Sequence, residues 1–313
     1  MSILISGSLA YDYIMDFPDS FRNHILPEQI HILNVCFVVD NLQKNFGGTA
    51  GNIAYNMKML GGEPIIFSPI GSDGMEYLSY LEKLNLNTKY IKKIADKLCG
   101  SAHITTDKDD NQITAFYNGA HDKAVEMKVS EVEEKLDLVL ISPTSKNAMI
   151  AHAKECYEKN IPICFDPGQQ ITAFSAQELQ LLVGQAKIII GNDYEIKLLQ
   201  EKTGWNMAEL LKHAEVVITT LGDRGSVITT KEEIIEVSVC SAHSVDDPTG
   251  AGDAYRAGFF LAYIQGKDLK ACAQVGATTA VYAVENYGTQ NHVFTKVEFE
   301  NRYEENFGEK IVM

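Results

Sequence analysis

The stretch Asp-Asp-Pro-Thr-Gly-Ala-Gly-Asp-Ala-Tyr-Arg-Ala-Gly-Phe, residues 246–259, sets two glycines and a carboxylate immediately before apolar residues at helical spacing that continue to Tyr263. Read as a turn into a helix that begins near Gly252, it has a definite chemistry. Glycines leave backbone N–H groups free to converge on an anion, and the positive end of the helix dipole reinforces them. Asp253, in the first turn, is favoured by the same dipole and could do no more than cap the helix. Beside an anion hole built from Gly250, Ala251 and Gly252, it is also placed to take a proton from a hydroxyl while the amides hold the group that hydroxyl attacks. No lysine follows the glycines, so this is not the Gly-x-x-x-x-Gly-Lys-Ser/Thr phosphate loop. A neighbouring arginine or a bound metal would have to supply part of the positive charge.

Outward from this stretch, short apolar runs (Ile3 to Ile5, Pro64 to Ile70, Leu138 to Ser142, Ile163 to Asp166, Lys187 to Gly191, Val216 to Thr220) are mostly separated by segments of helical periodicity. The latter are Gly51 to Leu60, Lys146 to Lys159, Ala176 to Ala186 and Tyr194 to Thr203. This alternation predicts an α/β fold with a mainly parallel central sheet flanked by helices and ligands at the carboxyl ends of the strands. Two segments depart from it. Tyr13 to Lys44 carries alternating apolar positions (Ile30, Ile32, Val35, Phe37, Val39), and Ser101 to Tyr117 reads as two strands around the turn Asp107-Lys108-Asp109-Asp110-Asn111. Together they predict a small β-sheet lid, residues 13–45 and 99–120, on a large domain of residues 1–12, 46–98 and 121–313. The turn begins like a calcium loop, but Gln112 stands where the glycine is needed and Asn118 where the final Glu should be.

Composition narrows the ligand. The 313 residues, 45% hydrophobic, are enough for one large domain with an appendage. With 27 basic and 42 acidic side chains, the formal charge of −15 repels phosphate backbones and anionic lipid, which argues against nucleic-acid and membrane partners. A small phosphorylated ligand is still compatible, because a few amides in a pocket outweigh a diffuse field. The six cysteines show no metal-like spacing and read as reduced, mostly buried thiols; the histidines, including His121, His152 and His243, show no ligand pairing and read as surface or core residues. Met1 to Leu9 lacks a basic leader and suits a first strand, and no apolar run approaches the roughly 18 residues of a membrane span, so a cytoplasmic protein is expected.

Asp247-Pro248-Thr249-Gly250-Ala251-Gly252-Asp253 resembles the C-terminal signature of the ribokinase-like (PfkB) family of sugar and nucleoside kinases. Gly47-Gly48-Thr49-Ala50-Gly51-Asn52, leading to Leu60-Gly61-Gly62, resembles the family's N-terminal glycine pair with its substrate-binding Asn. Both lie in the family's order, and the resemblance covers nearly the whole chain. It implies an ATP-dependent kinase of ribokinase-like fold in which Asp253 is the general base. Ser8 and Asp12, in Ser6-Gly7-Ser8-Leu9-Ala10-Tyr11-Asp12, resemble the segment whose Asp holds vicinal sugar hydroxyls, with Gly48 and Asn52 completing the sugar site; a bare loop Asp is the duller reading. Asn192-Asp193-Tyr194-Glu195 resembles the Asn-x-x-Glu motif that arranges water-bound Mg²⁺ and phosphates, and it is equally a helix cap. Thr220, Gly222 and Gly225, in Thr220-Leu221-Gly222-Asp223-Arg224-Gly225, resemble the ATP-binding loop, with Ala277, Asn286 and Gly288 around the ATP base. Asp247 and Thr249 resemble positions near a monovalent-cation (K⁺) site of some relatives.

The acceptor is read from the hairpin end. Phe116 would offer an aromatic face to a purine, and Gln169 and Gln170 could hydrogen-bond around it; a Phe at a strand end is also ordinary core. Ser8 to Asp12, Phe17-Pro18, Leu26-Pro27-Glu28, Thr203-Gly204-Trp205 and Asp253 to Phe259 are similar to bacterial-type, ribokinase-like adenosine kinases. That resemblance implies 5′-phosphorylation of a ribonucleoside, adenosine first, and a homodimer paired through the lid. A sugar kinase with a free sugar in the pocket and a non-catalytic nucleoside-binding regulator are the alternatives. A phosphofructokinase would need more basic residues near Asp12 and Asn52 than Lys44 and Lys58.

Overall fold

The computed structural model describes residues 2–26, 32, 34–109 and 111–312. Pro27, Glu28, Ile30 and Asp110, which enter the sequence expectations, lie outside the described residues. Numbered in chain order, the large sheet contains β1 (Ile3–Ser6), β4 (Ile65–Ile70), β5 (Ile91–Lys93), β8 (Leu138–Ile141), β9 (Ile163–Phe165), β10 (Ile188–Asn192), β11 (Val216–Thr220), β12 (Ser226–Thr229) and β13 (Ile234–Val237). Their order is β13-β12-β11-β10-β9-β8-β1-β4-β5, and all neighbours from β11 to β5 run parallel. Only the β11–β12 and β12–β13 pairings at one edge are antiparallel.

A sheet covered on both faces buries every strand residue, and successive side chains go to opposite cores. The middle of this sheet is built that way, with every residue of β1, β4, β8 and β9 buried. Ile3, Ile5, Leu138, Leu140, Ile188, Ile190, Val216 and Ile218 pack into one core, with α1 (Thr49–Met59), α2 (Met75–Lys83), α7 (Ala251–Ile264), α8 (Leu269–Val284) and α9 (Lys296–Phe307). Leu4, Val139, Ile141, Ile163, Phe165, Ile189 and Val217 pack into the other, with α3 (Lys146–Glu158), α4 (Ala176–Gln185), α5 (Asp193–Thr203) and α6 (Met207–His213). Because all the parallel strands point one way, their carboxyl ends form one edge, where Ser6-Gly7-Ser8, Pro143, Asp166, Asn192 and Thr220 collect.

The smaller sheet has the order β3-β2-β6-β7, from β2 (Ala10–Asp16), β3 (Asn41–Gly47), β6 (Gly100–Thr106) and β7 (Gln112–Tyr117). The chain enters it at Ala10, so Asp12 lies on a strand of the smaller sheet. The hairpin around Asp107 is as the sequence predicts: the Asp107 carboxylate accepts from the backbone N–H groups of Asp109 and Asn111, closing a turn, and from that of Phe21. One expectation is corrected. The alternation at Val35, Phe37 and Val39 is real in burial, but these residues form no strand. Phe37 instead lies against Phe17 and Phe21, with ring centroids 4.8 and 5.0 Å apart. Alternating burial reports a one-sided environment, which an extended segment resting on an aromatic cluster supplies without a ladder. The strand itself starts at Asn41, which pairs with Asp16.

The two sheets meet around Tyr77 on α2. Its hydroxyl donates to the Gly47 carbonyl at 2.8 Å and accepts from Gln290 Nε2 at 2.6 Å. A β-carbon on Gly51 of α1 would collide with that hydroxyl. Alanine normally stabilises a helix interior over glycine by about 1 kcal/mol. Here Gly51→Ala should instead destabilise the protein by about 1–3 kcal/mol, the scale of overpacking. Urea denaturation checks this, and a variant as stable as the parent would show that the Tyr77 contact yields freely.

Candidate active site

A cavity of about 590 Å³ opens at the carboxyl edge of the large sheet, bounded by the ends of its parallel strands, the amino ends of α1 and α7, and the smaller sheet. Gly250 begins α7 in the left-handed conformation (φ 82°), and a side chain there would strike Thr289. The Ala251 N–H donates to the Pro248 carbonyl at 3.3 Å. The hole is therefore narrower than the sequence suggests: Gly250, Gly252 and Asp253 line the cavity, whereas Ala251 does not. The first-turn amides of a helix have no intrahelical acceptor, so those of Gly252 and Asp253 are the natural donors for an anion here.

Asp253 is held from α1. Asn52 Nδ2 donates to its Oδ2 at 2.8 Å, while Asn52 Oδ1 accepts from Gln290 Nε2 at 2.9 Å and from Thr289 Oγ1 at 2.7 Å. The Thr289 hydroxyl shares its proton with the Phe46 carbonyl at 3.0 Å. These donors at Oδ1 fix which end of the amide meets the carboxylate. Burial raises the pKa of Asp253 to about 6, against the lowering effect of Arg256 and the Asn52 hydrogen bond, with Asp166 and Glu195 adding to the rise. That is the range of a usable general base.

Asp12 reaches the cavity from β2, its carboxylate packed so closely on Gly47 that any side chain there would displace it. It accepts no hydrogen bond from the described residues, and burial, then Asp253 and Asp247, push its pKa up to about 6. Ser8 caps α1 from outside: its Oγ accepts from the Thr49 N–H at 3.1 Å and its carbonyl from the Ala50 N–H at 3.0 Å. Phe116, which also lines the cavity, is 53% exposed, so it is not core. Its ring lies 22° from parallel to His121, which is buried and bonded through Nε2 to the Leu9 carbonyl. Gln169 and Gln170 line the same cavity.

Across the cavity Asn192 and Glu195 cap α5 reciprocally: Asn192 Oδ1 accepts from the Glu195 N–H at 2.7 Å, and Glu195 Oε2 from the Asn192 N–H at 2.9 Å. Both line the cavity with Thr220 and Gly222. Burial, with Asp166, raises the pKa of Glu195, the mark of a carboxylate short of positive charge. Among the described residues no group of three or more potential ligands forms a direct metal cage. One uncommitted carboxylate oxygen beside an amide fits a water-bound Mg²⁺, which keeps most of its own waters.

Several expected residues stand elsewhere. Gly225 belongs to the turn between β11 and β12, where its N–H donates to Gly222 O. Ala277 packs with Cys240 and Val281, and Asn286 bonds to the Tyr282 carbonyl at the end of α8. Asp247 staples its loop, Oδ1 accepting from the Thr249 N–H at 2.9 Å and Oδ2 from the Gly288 N–H at 3.0 Å. None of these lines the cavity. Five of the six cysteines are buried and Cys36 is exposed. Lys44 and Lys58 are paired with Glu76 and Glu63 and also stay outside the cavity. The sequence reading missed Thr289 and Gln290, whose role depends on a long-range fold contact. It also missed the Asp166–Arg256 pair, in which Nε donates to Oδ2 at 2.6 Å and Nη2 to Oδ1 at 2.7 Å. Signals existed: Asp166 ends a strand, and Arg256 follows Asp253 by three residues, one helical turn.

A model of the pfkB family carbohydrate kinases matches residues 22–296 of the chain. A nucleoside kinase of Methanocaldococcus jannaschii is 33% identical over 291 residues, covering 92% of each chain. The fold is similar to that of the Burkholderia thailandensis nucleoside kinase in complex with inosine, with a TM-score of 0.91 and 33% identity over 99% of both chains. Its ADP-inosine complex matches with a TM-score of 0.88 and 34% identity, covering 99% of this chain and 97% of that one. Among the described residues no helix is long and apolar enough to cross a membrane.

The unpaired Asp12 has a thermodynamic consequence. Its folded pKa of about 6 exceeds the ordinary 3.8, so the folded state disfavours its ionised form, and that penalty builds up as pH rises from 3.8 to about 6 and is constant above. Asp12→Asn should therefore raise the melting temperature of the ligand-free protein at about pH 7.5, with the gain vanishing at about pH 3, where both states hold the proton. Thermal melts at the two pH values check this; a gain of equal size at both would assign it to packing.

Proposed function

The chain belongs to the pfkB family of carbohydrate kinases, and from that footing we propose that it transfers the γ-phosphate of ATP to the 5′-hydroxyl of a purine ribonucleoside, adenosine or its close analogue inosine. One observation carries the reading: a single cavity is lined by an exposed aromatic ring, two glutamine amides, the unpaired Asp12, and Asp253 in the first turn of α7. These are partners for a base, a cis-diol and a primary hydroxyl. The Phe116 face stacks on the base, and an amide, which both donates and accepts, satisfies the edge of either purine. The complexes of the Burkholderia relative with inosine and with ADP-inosine support the choice of nucleoside over free sugar.

The reaction then follows from the side chains. Asp12 accepts from the ribose hydroxyls and so sets the primary hydroxyl against Asp253. As the O–P bond forms, the hydroxyl proton passes to the Asp253 carboxylate and the bond between the phosphoryl group and ADP breaks. The amides of Gly252 and Asp253 face the charge that develops on the transferring group. Thr220 and Gly222 flank the nucleotide phosphates. Glu195 and Asn192 would hold Mg²⁺ through its waters, and the chemistry it supplies when bound is neutralisation of phosphate charge. Closure of the smaller sheet over the nucleoside would exclude water and suppress ATP hydrolysis. Exposed Ile113 and Tyr117 on edge strand β7 support pairing of two copies through this sheet, which light scattering tests.

The deciding experiment is ADP release from MgATP with adenosine, inosine, guanosine, cytidine, ribose, fructose and fructose 6-phosphate. Turnover favouring purine nucleosides is expected; preference for a free sugar would retain the chemistry and overturn the assignments of Phe116, Gln169 and Gln170. Asp253→Asn should lower kcat by about 10² or more while nucleoside binding persists. In the parent enzyme kcat/KM should fall tenfold per pH unit below about 6, as Asp253 takes up its proton. A flat profile from pH 5 to 8 would remove Asp253 from the role of base.

A further inference from the structure

Five charged side chains line the cavity: the carboxylates of Asp12, Asp166, Glu195 and Asp253, and the guanidinium of Arg256, the only lysine or arginine there among the described residues. The family reading brings a polyphosphate into this space, so the disposition of that one cation matters. Arg256 lies on α7, one turn beyond Asp253, and is only 7% exposed. Asp166 holds it in a two-bond fork through Nε and Nη2. A guanidinium carries five N–H donors, and this fork uses two. Nη1 has no hydrogen-bond partner among the described residues. It points along the first turn of α7, where a β-carbon on Gly252 would come within 2.9 Å of it.

We propose that Arg256 is a catalytic residue that donates through Nη1 to an oxygen of the transferring phosphoryl group, and that Asp166 is the positioning residue that aims it; this rests on the kinase reading above. The geometry places an immobilised guanidinium beside Gly252, whose amide faces the same group. Phosphoryl transfer spreads charge over the equatorial oxygens, and a planar fork locked on one edge presents its other donors there without reorganising. The absence of a side chain at Gly252 keeps that approach open. The bond order of the reaction is unchanged: Arg256 exchanges no proton, and Asp253 still receives the one from the acceptor.

The test uses full-length enzyme with whichever acceptor the parent phosphorylates. Arg256→Lys keeps a cation for Asp166 but offers no second edge, and the double variant Arg256→Gln/Asp166→Asn keeps a hydrogen-bonded pair without charge. Each should melt within a few degrees of the parent and lose about 10³ in kcat, on the scale of an arginine that stabilises phosphoryl transfer, while KM for the acceptor changes only a few-fold. If the double variant fails to fold, Arg256→Lys alone decides. A kcat within tenfold of the parent would overturn the proposal. So would a loss that disappears at pH 9, since it would show Arg256 acting only by keeping Asp253 ionised. A parent that uses sugars and not nucleosides would sink the nucleoside reading alone and leave this test intact; a parent with no acceptor at all would sink both.

Discussion

Four carboxylates and one guanidinium share a single partly buried cavity, and the rest of the site is arranged around that imbalance. Burial, with neighbouring carboxylates adding to it, pushes both Asp12 and Asp253 up to about 6. Arg256 neutralises Asp166 directly and lowers Asp253 through space, so the acidic set can exist without collapsing into its protonated form. What remains unneutralised, at Asp12 and Glu195, is what the proposed reading gives to the ribose hydroxyls and to a hydrated Mg²⁺. The ligand-free protein thus carries a strain that its reactants relieve, an instance of stability given up for function at a site.

The fold delivers these groups from distant parts of the chain through rigid connections. Asp253 and Arg256 come from one helix, and Asn52 comes from another whose amino end is capped by Ser8, in the connection between β1 and β2. Thr289 and Gln290 tie Asn52 to the carbonyl of Phe46 and to the Tyr77 hydroxyl, and Tyr77 in turn bonds to Gly47, at the edge of the Asp12 pocket. The smaller sheet and the Asp253 carboxylate are therefore joined by hydrogen bonds through a single buried cluster, with Asp12 packed against its Gly47 end. The carbonyl of Phe46 on β3 is thus two hydrogen bonds from Asn52, and Asn52 one more from Asp253.

Much of this was legible in the residues. Parallel strands buried on both faces leave apolar runs that end in polar turns, and those turns mark the active edge; the Gly-Ala-Gly-Asp turn and the Asn-Asp-Tyr-Glu cap state their local geometry outright. Phe116 was legible as a hairpin end, but its exposure was not, because solvent access depends on what the smaller sheet faces. The alternation at Val35, Phe37 and Val39 misled because burial periodicity does not specify a hydrogen-bonding partner. Ala277, Asn286 and Gly225 lie outside the cavity, in helix packing, at a helix end and in a turn. Asp166 and Arg256 escaped because a buried ion pair between residues 90 apart has no local pattern.

The central claim is that the hydroxyl beside Asp253 is the primary hydroxyl of a nucleoside whose cis-diol rests on Asp12. The most direct measurement is the position of the transferred phosphate, read by phosphorus–proton correlation NMR on the product formed from inosine and MgATP. A single 5′-monophosphate is predicted. A 2′- or 3′-phosphate, or free phosphate released from ATP without transfer, would contradict the placement of Asp12 and Asp253 on which the account depends.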